Sequence, residues 1–158
     1  MKNTFKRSGA ALISLVLLLV LAVSAGAASS QNVGVKFWKE RSDKESMANS
    51  GIDPDRTATL TRQANGTYTL TLPVMQVSKL GVTGYLSGLT IGDVTYDGTL
   101  TGDFNKATAV LTIKNLPASV LTGSDVNKSV LVTCNIQMDL QVLGEITTSA
   151  RMCIWNQK

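Results

Sequence analysis

The chain has 158 residues, 44% hydrophobic but only 5% aromatic, with fifteen Lys and Arg against eleven Asp and Glu and no His at all. Without His, Ser-His-Asp and Cys-His catalysis and every His-containing metal site are excluded, and two Cys cannot make a four-cysteine cluster. Three of the fifteen basic residues (Lys2, Lys6 and Arg7) stand at the extreme N-terminus, which leaves twelve basic against eleven acidic residues elsewhere. These alternate in sign along "KERSDKES" rather than clustering, so nucleic acid is not an expected partner.

In chain order, residues 1–27 come first. "MKNTFKR" precedes the apolar run "AALISLVLLLVLAVSA", and "AGA" at Ala25–Ala27 supplies small residues for cleavage. That is the pattern of a secretory signal peptide; an uncleaved membrane anchor is the competing reading, but the run is short for a span and ends in a good processing sequence. The expected mature chain is 28–158, one domain with no membrane span, secreted or retained at the cell surface. After "VGVKFWK", the segment "TATLTRQANGTYTLTL" alternates with period two: Ala58, Leu60 and Ala64, then Tyr68, Leu70 and Leu72, fall at even positions. Two strands joined at Asn65-Gly66 follow, and keeping both apolar sets on one face requires paired numbers of even sum, hence a three-residue loop or a bulge. The weaker "LTIGDVTY" and then "ATAVLTIKN" add strands. From Val130 to Val142 the even residues are apolar, including Cys134, Ile136, Met138 and Leu140; after Gly144 the pattern resumes at Ile146, Ala150, Met152 and Ile154, which predicts a long hairpin. About seven or eight strands with no convincing long helix predict an all-β, antiparallel β-sandwich.

Cys134 and Cys153 lie on the two arms of that last hairpin. Secretion makes a disulfide between them possible, but their opposite parity puts them on opposite faces of a regular ladder, and two small apolar side chains are the alternative. "DPDR" and "YDGTLTGDFN" lack the alternating oxygen ligands of a calcium loop and read as ordinary turns. Nothing singles out a catalytic pair, and an enzyme is not expected. Tyr85, among the glycines of "GVTGYLSGL", is read either as a corner-packing residue or as a hydrogen-bond donor to a ligand. Trp38 and Trp155 are read as packing together or covering an edge.

The succession "VGVKFWKERSDKESMANSGI", "NGTYTLTL", "LGVTGYLSGLTI" and "TTSARMCIW" resembles the landmarks of NEAT (near-iron-transporter) domains, over roughly Val33 to Trp155. That resemblance implies an immunoglobulin-like sandwich with a short helical lip, on a Gram-positive surface, binding haem or haemoglobin in iron acquisition. It implies that "KESMANS" is the lip, with Ser46 set to a propionate and Met47 against the porphyrin or its iron, and that the last hairpin is the opposite wall. The chain departs from the family pattern in one respect: "EITTSARMCIW" carries no Tyr, where many haem-binding members have a coordinating Tyr four residues from a second one. Without His, the protein ligands left for the iron are a Met thioether, a Cys thiolate or a Tyr from elsewhere; a thioether suits haem iron, and the favoured candidates are Met47 on the lip and Met138 or Met152 on the hairpin. The bland reading of Met138 and Met152 is core filler, and of Met47 a residue tucked onto the sandwich end. The expected function is haem capture or relay together with other surface haem-relay proteins. The alternative is a haem-free module that binds haemoglobin or a surface partner.

Overall fold

The computed structural model describes residues 28–79, 81–139 and 144–158. The expected signal peptide, Leu140 and Val142 lie outside these. Among the described residues nine strands form: β1 (Ser29–Lys39), β2 (Ala58–Arg62), β3 (Tyr68–Pro73), β4 (Val77–Lys79), β5 (Val82–Ile91), β6 (Val94–Thr101), β7 (Val110–Leu116), β8 (Val130–Met138) and β9 (Glu145–Asn156). Every pairing between them is antiparallel. Among the described residues no helix is long and apolar enough to cross a membrane.

The sheet runs β4-β5-β6-β7-β3-β2-β1-β9-β8 and closes on itself through β5–β8. The strands are those of an all-β antiparallel fold, but the hydrogen bonds do not divide into the two separate sheets of a sandwich. Eight strands form a ring, with β4 added to one edge of β5. Alternation along a strand is the same in a sandwich and in a closed sheet, because each has one inner and one outer face. The closure depends on β5, which pairs with β8 along one edge and with β4 and then β6 along the other. A bulge between Leu86 and Gly88 interrupts the β5–β8 register. Before it the even residues Gly84 and Leu86 are buried, after it Leu89 is, so the extra residue resets the strand's parity.

The predicted hairpin loop forms as its arithmetic requires. Arg62 pairs Tyr68, Gln63 N–H donates to Thr67 O at 2.8 Å and Gly66 N–H to Gln63 O at 3.0 Å. The loop is therefore Ala64-Asn65-Gly66, and Gly66 takes the positive φ of 84° that closes such a turn.

Inside the ring, Phe37, Leu60, Leu70, Leu72, Leu89, Leu111, Ile113, Leu116, Met152 and Ile154 are fully buried. Each such side chain contributes about 1.5–3 kcal/mol relative to exposure. The long connection from β7 to β8 returns across the end of β9. β8 covers β9 only up to Met152, and beyond it Thr122 and Gly123 donate their N–H groups to Ile154 O at 3.1 and 3.0 Å. The connection also decides the fate of the cysteines. Cys134 faces the core, Cys153 the outer surface, where Asp125 O lies 3.6 Å from its Sγ. Both are buried and both are free thiols. The disulfide expectation fails for the reason parity gives: Cys134 sits opposite Thr148, and Cys153 opposite Lys36 of β1. The two tryptophans do not pack together either, since Trp38 pairs Arg151 whereas Trp155 pairs Gly34 and occupies the space a Cβ there would need.

Candidate functional site

Between β1 and β2 the chain makes a single 3-10 turn, Met47–Gly51, which is the lip. Ser46 caps it from an extended backbone, its Oγ accepting from Ala48 N–H at 3.3 Å. The firmest attachment is Asn49. Its Oδ1 accepts from Phe37 N–H at 2.8 Å, and its Nδ2 donates to Phe37 O at 2.7 Å and to Ser46 O at 3.1 Å. β2 accompanies β1 only as far as Val33, so an amide side chain takes the place of a neighbouring strand at Phe37. At its other end the lip is held by Met75 N–H on Gly51 O at 3.0 Å and by the Ile52–Val74 bridge. The preceding charged loop is tied by Arg151 to Asp43 at 2.7 Å and by Lys36 to Glu45, with the Lys36 Nζ 4.6 Å above the Trp38 ring. These pairs are partly exposed and orient the loop more than they stabilise it.

Facing the lip is the turn end of the β8–β9 hairpin. β1 stops at Lys39, opposite Ala150, so residues 145–149 of β9 have no β1 partner. The inner face of the hairpin therefore outruns the ring, and a cleft of about 270 Å³ opens there. Met47, Ala48 and Gly51 form the lip side, Ile136, Met138, Ile146 and Thr148 the hairpin side, and Val77, Val82, Gly84, Tyr85 and Leu86 the β4–β5 side. None of these side chains carries a formal charge. Met47 is 59% and Ile146 44% exposed at its rim, large apolar surfaces that a free-standing domain normally keeps smaller.

Met47, Tyr85 and Met138 of the sequence-predicted set thus meet at one cleft, with Ser46 capping the turn that carries Met47. The Tyr85 ring leans on Phe104, centroids 5.2 Å apart. Met138 is opposite Gly84 in the β5–β8 ladder, and its Sδ lies over that glycine, 2.8 Å from where a Cβ would stand. Met152 is elsewhere. It is 0% exposed in the core and pairs Val130, at the far end of the hairpin from Met138, which pairs Gly144 through its N–H. Eight residues of strand separate the two rungs, about 27 Å, so one small ligand cannot touch both. Met152 is core filler. Sequence reasoning missed Ile136, Ile146, Gly84 and Asn49. The first two were visible as even-face residues, but nothing in the alternation marks where a buried face becomes a cleft.

A second recess of about 210 Å³ lies beside Trp155 and the Asp53–Arg56 turn. Its polar groups are occupied: Arg56 Nε donates to Asp53 Oδ2 at 2.8 Å, Asp55 N–H to Asp53 Oδ1 at 3.0 Å, and Arg56 Nη2 to Ala109 O. Arg56, then the Asp55 amide, hold the Asp53 carboxyl below the usual carboxylate range. This is a turn staple.

No protein-family model matches the sequence. No curated protein matches it either. Among solved structures, the chain is similar to the NEAT5 domain of IsdX2, a B. anthracis hemophore, in complex with haem, with a TM-score of 0.53 over 84% of this chain and 99% of that one at 11% identity. A mutant of the same domain in complex with haem matches equally, at TM-score 0.53 over 84% and 98% at 11% identity. The closed antiparallel sheet with its lip is therefore the fold of a NEAT domain.

Proposed function

We propose that this chain binds haem as cargo in the cleft between the lip and the β8–β9 hairpin, for capture or relay in iron acquisition outside the cell. The observation that carries the reading is the cleft itself: mostly apolar, uncharged in its described lining, and furnished with methionines on both facing walls by Met47 and Met138. Its volume is just under the roughly 300–1,000 Å³ of ordinary ligand pockets, which suits a flat macrocycle inserted by one edge with its charged groups left in water. The residues present fit such a cargo. Ile136, Ile146 and Leu86 offer apolar contact, Met47, Met138 and Tyr85 are the available donors, and Ser46, the N-cap of the turn that carries Met47, is the residue we assign to a propionate. Support also comes from the haem-bound state of the NEAT5 domain that shares the fold.

The test is a haemin titration of the purified protein followed in the Soret band. A saturable one-to-one shift, weakened by Met47→Ala or Met138→Ala and unaffected by Met152→Ala, is expected; no saturable shift beyond that of free haemin overturns the reading. Export is checked separately, by N-terminal sequencing of the secreted chain, which should begin at Ala28. The second reading, a haem-free module binding haemoglobin or a surface partner, draws on the exposed apolar side chains of Met47, Met75 and Ile146. Direct binding of haemoglobin without any haemin shift would favour it.

A further inference from the structure

We infer that the cleft selects the reduced state of its cargo, binding ferrous haem more tightly than ferric haem, with the Met138 thioether seated on Gly84 as the chief determinant. The inference rests on the haem reading of the cleft and concerns a property which that reading leaves open. Two features of the lining point the same way. The first is charge: none of the twelve residues around the cleft carries one. The core of a ferric porphyrin bears one more positive charge than that of a ferrous one, and an apolar cleft with no carboxylate or thiolate to balance it penalises the charged form. The second is donor softness. The thioethers of Met47 and Met138 are neutral, soft ligands, which raise the potential of haem iron by favouring its reduced state. Tyr85 and Thr148 are the oxygen donors among the described lining residues; an aliphatic hydroxyl keeps its proton, and Tyr85 would have to lose its own to act as an anionic ligand. Among the described residues lining the cleft, none is a base that could take that proton or a cation that could favour its loss.

Gly84 gives Met138 its position. It sits directly across the ladder, and the Sδ lies where a Cβ would reach within 2.8 Å, with Gln137 O 3.0 Å and Ile136 Cγ2 3.3 Å from the same point. An alanine there has to push the thioether aside, since Met138 Sδ is the nearest atom and the end of a flexible side chain, whereas Gln137 O belongs to the backbone. Gly84 is a positioning residue, acting through Met138.

The experiment compares three probes on the purified protein: haemin in air, haemin reduced by dithionite under anaerobic conditions, and metal-free protoporphyrin IX. Ferrous haem should bind at least about tenfold more tightly than ferric, equivalent to a rise of about 59 mV in the potential of the bound couple relative to the free one. Met138→Leu keeps the volume and should bring the ratio close to one, with a urea unfolding midpoint near that of the wild type showing that the variant is folded. Gly84→Ala should lower the ratio in the same direction, and Tyr85→Phe should not lower it. Saturable binding of metal-free protoporphyrin with a ferrous preference below tenfold overturns the inference alone. A preference that survives Met138→Leu overturns the assignment to Met138. If none of the three probes binds saturably, the haem reading fails and this inference fails with it.

Discussion

Asn49 offers the sharpest test of how the lip is held. Asn49→Ala removes the acceptor of the Phe37 N–H and both amide donations, to Phe37 O and to Ser46 O. Phe37 O keeps the Ser46 N–H at 3.0 Å, so it is not orphaned. The Phe37 N–H is, on a residue with 0% exposure. An unsatisfied buried donor costs about 1–3 kcal/mol and each of the two other lost hydrogen bonds about 1, so the lip should lose roughly 3–5 kcal/mol of attachment. The lip can undock without the ring unfolding, so the loss divides between global stability and local opening. Hydrogen exchange at the Phe37 amide should quicken by at least about thirtyfold, which is 2 kcal/mol at roughly 1.4 kcal/mol per tenfold. Asn49→Asp separates the two halves of the amide. It keeps an acceptor for Phe37 N–H but turns a second oxygen toward two carbonyls, so its carboxyl should titrate above the usual range, and the stability deficit against the wild type should shrink as pH falls. The assays are urea denaturation from pH 3 to 7 and exchange at the Phe37 amide. If Asn49→Ala unfolds within about 0.5 kcal/mol of the wild type and Phe37 exchanges no faster, Asn49 does not replace a strand.

Three other outcomes are expected. Met152→Ala should cost about 2–5 kcal/mol as a core truncation while leaving cleft binding intact, and Ile146→Ser, at a residue 44% exposed, should do the reverse; equal effects of both on stability and binding would contradict the separation of core from cleft. Neither cysteine should react with a thiol reagent at pH 8 until the protein is unfolded. Burial pushes the Cys134 thiol up to about 12, so only about one in ten thousand is thiolate at that pH; a chain that yields no thiol after unfolding without reductant would contain the disulfide that its register forbids. The Asp53 carboxyl is depressed, chiefly by Arg56, so its contribution to stability is present above about pH 4 and is lost as pH falls through the depressed value. Asp53→Asn should therefore flatten the acid side of the stability profile, and a urea midpoint that varies with pH as in the wild type would refute this.

What could be read in the sequence was whatever depends on a strand and its own turn. The Ala64-Asn65-Gly66 loop followed from even sums, and the opposite faces of Cys134 and Cys153 followed from parity. The lip was recognisable from "SMANS" as a resemblance, and Met47 and Met138 do reach one cleft. What could not be read depends on pairing partners. Ring closure needs β5 to bond on both edges, and the bulge at Leu86/Gly88 breaks the parity rule just beyond Tyr85 and the cleft. The same rule put Met138 and Met152 on one face, correctly, but a face is long, and only the register Val130 to Met152 shows that they stand at opposite ends. Asn49 was hidden for a different reason: a side chain imitating a strand has no periodicity.

The cleft itself is a consequence of unequal strand lengths. β9 spans twelve residues, and β1, which pairs with it, ends opposite Ala150. The five rungs left over keep their inner apolar residues because β8 continues beside them, pairing Ile136 with Ile146. Had β1 run on, those residues would be core; had the hairpin been shorter, there would be no wall. The chain instead turns back after Lys39 and lays a single 3-10 turn against the gap, attached to β1 chiefly through one amide side chain. A cover so short leaves space above it and can shift without disturbing the ring, since the ring's hydrogen bonds close elsewhere, through β5 and β8. The core supplies the stability and the overhang supplies the site, so a ligand that enters there meets apolar walls fixed by strand register and a lip whose position rests on a few local contacts.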